Sequence, residues 1–341
     1  MSEPTCRQPA EWGRHSACWL AWPSHGHLWR ENLAPAQAEW AALGLAIAEA
    51  GGEILDILVQ DAAAEAEARA ALAPVLGQVR FHHVPVGDIW LRDTAPIFVT
   101  DGAGTLRAAC FGFNGWGRKY LLPDDDRVAG RVAALSGAPR TDHAWILEGG
   151  SVEVDGEGTV LTTRQCLLNP NRNPGLDQAE IEAALCDGLG AEKVLWLDEG
   201  LLNDHTDGHI DTLARFVAPG LVVCMEARDP ADPNAATLDR LAADLAGFTD
   251  AKGRRLQVVR IPSPGIVRDE EGEFMPASFV NFYIGNRSVV VPTYGTPYDE
   301  EAVAALTPLF PHHRVIGRSA RAILSGGGAF HCITQQQPEV P

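Results

Sequence analysis

Basic residues are scarce in this sequence. Lysine and arginine together number 27 against 45 aspartates and glutamates, a formal net charge of −18. Such a surface repels nucleic acid and anionic membranes, and its field favours small cations. Solubility alone is the plainer use of the same charge. Paired cysteines are also missing. The seven cysteines are odd in number and include no Cys-x-x-Cys. That excludes a zinc ribbon or a disulfide framework and predicts reduced thiols in the cytoplasm. No run approaches the ~20 apolar residues that a membrane-spanning helix needs. The N-terminus lacks a basic stretch followed by an apolar one, so no signal peptide is expected.

What the chain has is glycine and proline, 34 and 23 residues, and hence many turns and many short strands. With 46% hydrophobic residues over 341 positions, it can bury a substantial core. One order of elements recurs. Hairpins are expected at 96–111 around Asp101-Gly102-Ala103-Gly104, at 152–162 around Asp155-Gly156-Glu157-Gly158, at 210–226 around Pro219-Gly220, and at 279–292 around Gly285-Asn286. Each is followed by a helix (127–135, 178–189, 235–246, 300–310) and then a strand (144–147, 193–197, 256–261, 314–316). A strand predicted at 332–335 lacks a following partner, and one at 17–22 lacks a preceding partner. Pairing these two completes a fifth unit. Five units of about 60 residues, alike in element order but not in sequence, predict a repeat architecture. We therefore expect one catalytic domain over residues 1–341, a five-bladed α/β propeller whose ring closes without exposed sheet edges.

Polar residues recur where four of the hairpins would enter the centre of such a ring. They are Asp93 before the first, Glu148 before the second, His209 and Asp211 at the start of the third, and Cys332 at the start of the fifth. Strand alternation predicts His209 and Asp211 on one face with Ile210 opposite. Cys332 follows the glycine run Gly326-Gly327-Gly328, where a backbone can take positive φ and approach a ligand closely. The plainer reading of such a cysteine is a small buried hydrophobe, and Cys18, Cys110, Cys166, Cys186 and Cys224 are read that way.

One thiol, one imidazole and three carboxylates suit a particular substrate. A thiolate is a strong nucleophile when a histidine or positive charge activates it. Carboxylates alone would raise its pKa, so they make sense if the substrate supplies the cation. Guanidinium is planar and pairs with carboxylates through a fork of donors. Two carboxylates on its edges would hold its central carbon over the sulfur and stabilise the thiolate. Trp22, Trp90 and Trp116 are candidates to stack on the cation or its alkyl tail, with core packing as the plainer role for each. Two other classes stay open at this point. One is a metal-dependent hydrolase using His205, Asp207, His209 and Asp211, although Gly208 argues against the helix that the His205/His209 spacing needs. The other is a propeller that binds a cation without catalysis.

Several stretches carry a family resemblance. They are Trp90-x-Arg92-Asp93-Thr94-x-Pro96, Phe113-Asn114-x-Trp116-Gly117, Leu147-Glu148-Gly149-Gly150-Ser151 and Cys166-Leu167-Leu168-Asn169-Pro170-Asn171-Arg172-Asn173-Pro174. Further on come Gly208-His209-Ile210-Asp211, Val280-Asn281-Phe282-Tyr283-Ile284, and the glycine run with His331-Cys332-Ile333-Thr334-Gln335-Gln336. In this order the chain resembles the agmatine deiminases and bacterial peptidyl-arginine-deiminase-like proteins of the guanidino-group-modifying superfamily. It departs from their pattern at Ala95, at His205-Thr206-Asp207-Gly208 and at Ala329-Phe330. The resemblance implies the five-bladed α/β propeller (pentein) fold and a deiminase acting on agmatine. Free arginine, peptidyl-arginine or another alkylguanidine are the sibling alternatives. It implies Cys332 as nucleophile, His209 as general acid/base, Glu148 as the residue orienting His209, and Asp93 with Asp211 holding the guanidinium. A covalent thiouronium would be hydrolysed to a ureido product with loss of ammonia. No metal or other cofactor is called for, and a homodimer is the family expectation.

Overall fold

The computed structural model describes residues 6–340. Its strands fall into five sheets. In the first, His15–Ala21, Leu55–Val59 and Val79–His83 run parallel, and Gln335–Pro338 pairs antiparallel with His15–Ala21. The second joins Cys6–Arg7, Ile97–Asp101, Leu106–Gly112 and Arg140–Ile146. The other three share one plan: Glu153–Val154 with Thr159–Thr163 and Lys193–Leu197, Ala214–Ala218 with Leu221–Glu226 and Gln257–Pro262, and Tyr283–Ile284 with Ser288–Thr293 and Arg314–Ser319. A tight antiparallel pair comes first and a parallel strand follows. Parallel neighbours need a crossover, and a helix supplies it each time: Asp125–Ser136 in the second sheet, then Gln178–Leu189, Ala235–Gly247 and Asp299–Leu306. The fold is therefore mixed α/β, and the expected strand pairing between the two chain ends is present.

Local chemistry explains the turns. In the second hairpin Asp155 Oδ1 accepts from the backbone N–H of Glu157 at 2.8 Å and of Thr159 at 2.9 Å. Gly156 and Gly158 supply φ of 74° and 104°, which side-chain-bearing residues disfavour. The following crossover helix opens on a capping box between Asp177 and Glu180 and ends at Gly190 in the left-handed conformation.

The inner ends of the strands differ from expectation. The strand expected from 210 begins at Ala214, because Ile210–Thr212 forms a 3-10 turn. The strand expected from 279 is reduced to Tyr283–Ile284. Cys332 sits in a turn, and its strand begins only at Gln335. The backbone there bonds locally instead of across a ladder. Leu213 N–H donates to Ile210 O at 2.9 Å, Thr212 Oγ1 to His209 O at 2.9 Å, and Thr334 Oγ1 to Phe330 O at 2.9 Å. Short threonine side chains offer such alternatives to a sheet. The helix Leu33–Leu45 finishes in a π-helical turn, Ala46–Ala50. Among the described residues no helix is long and apolar enough to cross a membrane, and all seven cysteines are free.

A buried ionic knot ties separate sheets together. Arg215, fully buried, donates to Glu11 Oε2 at 2.7 Å, Glu153 Oε2 at 2.8 Å and the Phe282 carbonyl at 2.7 Å. Its guanidinium also lies over the Phe282 ring, 5.1 Å from the centroid. Removing one partner of such a group strands the others without solvation. Arg215→Met is therefore expected to destabilise the protein by about 3–5 kcal/mol, read as a lowered urea midpoint. An unchanged midpoint would show that the knot adds nothing to stability.

Candidate active site

Asp93 belongs to the short helix Leu91–Thr94, which aims it and Arg92 in different directions. Arg92 reaches Gln336 Oε1 at 2.7 Å. Asp93 points into a cavity of about 240 Å³ whose wall also includes Trp90, Trp116, Cys332 and the glycine run. Both Asp93 oxygens are held: Oδ1 accepts from Gly150 N–H at 2.9 Å and Oδ2 from Trp116 Nε1 at 2.8 Å. Trp116 reaches that place through an uncommon backbone, with φ of 52° between Gly115 and Gly117 at 69° and 77°. Asn114 stabilises the loop by accepting from Gly117 N–H at 2.9 Å and donating to Asn171 O at 3.0 Å. Left-handed backbone at a bulky residue costs energy and persists where its surroundings enforce it.

The Glu-Gly-Gly stretch has a steric explanation. A Cβ on Gly149 would lie 2.2 Å from the Arg92 carbonyl oxygen. One on Gly150 would lie 2.6 Å from His209 Nδ1, 2.9 Å from Asp93 Oδ1 and 3.1 Å from Asp211 Oδ2. Gly150 thus stands where three predicted site residues converge. Glu148 itself is fully buried. Its two oxygens lie 3.0 and 2.9 Å from Arg172 Nε, and Oε2 stands 3.9 Å from His209 Nε2. Glu148 thus faces the imidazole, but its hydrogen bond goes to Arg172.

His209 and Asp211 come from the turn at 209–212, not from the strand expected there. His209 Nδ1 is 3.8 Å from Asp93 Oδ1. Burial pulls the imidazole pKa down, but Asp93, the Cys166 thiol and Glu148 outweigh it and push it up to about 10. Asp211 Oδ2 receives His331 Nδ1 at 2.8 Å and lies 3.5 Å from Cys332 Sγ. Burial would raise this carboxyl; the His331 bond and the charges of His331, His209 and Arg215 hold it below its ordinary value. Asp93 is pushed up by burial, aided by Asp211 and Glu148 and partly offset by His209. Among the described residues His209 Nε2 and Asp211 Oδ1 are buried without a hydrogen-bond partner.

Cys332 Sγ also receives Asn281 Nδ2 at 3.2 Å. Burial pushes the thiol well up, and the negative charges of Asp211 and Asp93 push it further. The glycines before it admit aromatic neighbours: a Cβ on Gly328 would lie 2.7 Å from the Trp90 ring and 3.0 Å from Cys332 Sγ.

The structure thus brings Asp93, Glu148, His209, Asp211 and Cys332 together, with Trp90 and Trp116 on the cavity wall. Trp22 is elsewhere. It packs edge-on against Trp40 with centroids 5.0 Å apart and donates to Glu67 at 3.3 Å, so its expected place beside the substrate is corrected to core packing. The alternative metal set is not assembled either. Asp207 is engaged by Arg172 at 2.7 Å and by Lys119 at 2.5 Å, and His205 packs against Tyr120 at the cavity wall. Among the described residues the ligand atoms that converge within 4.8 Å belong to Glu148, Cys166 and His209, with Glu148 already held by Arg172. Sequence reasoning gave no role to Arg172, Asn281, His331, Trp29 or Asp88. The first three lie inside the motifs that carry the resemblance, which was the available signal.

The chain matches the model of the Porphyromonas-type peptidyl-arginine deiminase family over residues 7–338. It is 41% identical to an agmatine deiminase of Stutzerimonas stutzeri over 97% of this chain and 95% of that one. It is 40% identical to one of Pseudomonas aeruginosa over 99% of both. In three dimensions it resembles the agmatine deiminase of Enterococcus faecalis, with a TM-score of 0.92 and 33% identity over 98% of this chain and 96% of that one.

A raised thiol pKa has a measurable consequence. Only the thiolate is alkylated, so in the absence of substrate the rate of iodoacetamide labelling at Cys332 should keep climbing beyond pH ~8.5, the ordinary thiol value. Mass spectrometry of the Cys332 peptide reads this rate. Labelling already maximal at pH 7 would contradict the surroundings described.

Proposed function

The chain belongs to the Porphyromonas-type peptidyl-arginine deiminase family, and from that premise we propose that it hydrolyses agmatine to N-carbamoylputrescine and ammonia. The relatives named agmatine deiminases support agmatine over the sibling substrates. The observation that carries the chemistry is the thiol of Cys332, 3.5 Å from Asp211 Oδ2 in a cavity that Asp93 also lines. We propose in addition that the five sheets are blades of one ring, closed by the pairing of His15–Ala21 with Gln335–Pro338, and that the chain forms one catalytic unit.

In this reading Asp93 and Asp211 grip the guanidinium edges and place its carbon over Sγ. The bound cation offsets the negative charge that keeps the thiol protonated, so substrate itself promotes the thiolate. Cys332 attacks the carbon, forming a C–S bond. His209, an imidazolium at neutral pH, gives its proton to the departing nitrogen as the C–N bond breaks and ammonia leaves. Neutral His209 then takes a proton from water, whose oxygen attacks the thiouronium carbon. The C–S bond breaks as the added hydroxyl becomes the ureido carbonyl; its proton passes to the sulfur, replacing the one lost to solvent when the thiolate formed, and His209 is left an imidazolium. Glu148, fixed by Arg172, stabilises the imidazolium from 3.9 Å. Trp116 and Gly150 keep Asp93 oriented before substrate arrives.

Ammonia release across agmatine, arginine, a peptidyl-arginine and simple alkylguanidines tests the reading. Turnover of agmatine is expected, with complete loss in Cys332→Ser; no ammonia from agmatine would overturn it. The grip has its own test. Asp93→Asn removes a charge-assisted contact worth about 1.5–3 kcal/mol, so KM for agmatine should rise about tenfold to a hundredfold. Unchanged KM and kcat would remove Asp93 from the binding role.

A further inference from the structure

Asp207 stands behind the site, in the turn that leads into His209, and has no part in the chemistry above. It lies in the stretch His205-Thr206-Asp207-Gly208, where the chain departs from its family's pattern. Both of its oxygens are engaged. Oδ2 accepts from Arg172 Nη1 at 2.7 Å and from Asn171 Nδ2 at 2.9 Å, and Oδ1 accepts from Lys119 Nζ at 2.5 Å. Burial would raise this carboxyl, but its bonds to Lys119, Asn171 and Arg172 bring it below its ordinary value. The Asp207 backbone is left-handed, with φ of 66°, a conformation that persists where the surroundings enforce it.

The two donors on Oδ2 lead to the two acids beside the imidazole. Arg172 turns its Nε to both Glu148 oxygens, at 3.0 and 2.9 Å, and its Nη2 to the Thr206 carbonyl at 2.7 Å. Asn171 packs against the loop that carries Trp116. Its carbonyl accepts from Asn114 Nδ2 at 3.0 Å, and a Cβ on Gly117 would lie 2.2 Å from its Nδ2. Trp116 in turn donates to Asp93. His209 stands between these acids, with Nδ1 3.8 Å from Asp93 Oδ1 and Nε2 3.9 Å from Glu148 Oε2. Neither distance is that of a hydrogen bond. The imidazole is therefore flanked by charge on both sides, and its protonation depends on where the two acids are held. One carboxylate, Asp207, supports both of them from behind.

We propose that Asp207 is a positioning residue for His209: through Arg172 and Asn171 it fixes Glu148 and Asp93, and its charge offsets that of Arg172 so that Glu148 still favours the imidazolium. This rests on the deiminase reading and goes beyond it. Without Asp207 the buried guanidinium of Arg172 would face one acid instead of two. Its surplus positive charge would then act against a proton on the imidazole. The other titratable groups that face His209 are Asp93, Glu148, the Cys166 thiol and Asp211, and none of them is altered when residue 207 alone is changed. An amide at 207 would also present its own N–H groups to donors that the carboxylate now accepts from. Lys119 opposes Asp207 from the solvent side, where it also donates to the His205 carbonyl at 2.8 Å.

Asp207→Asn tests this, because it keeps the shape and removes the charge. The kcat for agmatine, per site counted by iodoacetamide labelling at Cys332, should fall about tenfold to a hundredfold. The alkaline limb of kcat, where the imidazolium loses its proton, should move to lower pH by about one unit. Both changes are required. If Asp207 serves only the fold, the urea midpoint drops while kcat per labelled site or the alkaline limb stays at its wild-type value, which overturns the proposal. Lys119→Met removes the opposing cation and should move the same limb the other way, to higher pH, by a few tenths of a unit. Should Asp207→Asn fail to fold, that variant decides alone, and a limb that does not rise overturns the proposal. A wild type that releases no ammonia from any guanidine overturns the deiminase reading and this one together. Wild-type turnover with an unmoved limb in the variants overturns this one alone.

Discussion

The site is built around negative charge that the protein buries and neutralises only in part. Arg172 holds Glu148, and Arg215 holds Glu11 and Glu153. His331 lies between Glu11 Oε2 at 2.9 Å and Asp211 Oδ2 at 2.8 Å, an arrangement that a donor at both ring nitrogens satisfies. Asp93 is left with His209 at 3.8 Å and with neutral donors. Cys332 is left with Asn281 and an acid neighbour. In that field a thiolate is unfavourable and a guanidinium is favourable. The two features of the free site that stand against reaction, a thiol held protonated and an underneutralised Asp93, are relieved by the same ligand. The field also favours turnover. A ureido product is neutral, so the ion pairs that held the substrate are lost when product forms, and the sulfur takes its proton back.

The bonds that shape this field are also bonds of the fold. From Glu11 the contacts run through His331 to Asp211 and on to the Cys332 sulfur. Glu11 shares Arg215 with Glu153. The segment before the first long strand, the turn before the third hairpin and the turn carrying the nucleophile thus meet in one hydrogen-bonded network. Breaking one of these pairs would cost stability and disturb Asp211 together. The glycines serve the same convergence from the backbone side. Gly149 and Gly150 let one turn sit against Arg92, His209 and Asp93, and Gly326 and Gly328 do so against the indoles and Cys332.

Element order was legible in the sequence because hairpin turns and amphipathic helices are local features. Gln178–Leu189 and Lys193–Leu197 have the expected bounds. The inner strand ends were not legible, since local propensity cannot tell a strand from a turn when threonines and glycines offer the backbone other partners. That is why His209 and Asp211 share a site through a 3-10 turn rather than through strand alternation. The chemistry-bearing residues were readable because thiol, imidazole and acid are few in kind and recur at equivalent places. Their supports were less so. Arg172 meets Glu148 across 24 positions, and Asn281 meets Cys332 across 51. Trp22 and Trp29 show the limit most clearly. Both are buried indoles near the N-terminus, yet one packs on Trp40 and the other faces the cavity. Nothing in their neighbourhoods along the chain separates them; packing from distant segments does.

Buried polar atoms without partners normally count against a structure; several lie elsewhere, as at Trp40 Nε1 and Asp155 Oδ2, but two fall in the site. His209 Nε2 and Asp211 Oδ1 are both orphaned among the described residues, and both belong to groups whose charge the reaction uses. A fully satisfied network would be more stable and would have nothing left to give a ligand. Arg172 fixes Glu148 and His331 fixes Asp211, so the side chains around these unpartnered atoms are held in place. Rigidity of the supports and incompleteness of the centre are then two sides of one arrangement, which is electrostatic preorganisation toward a planar cation.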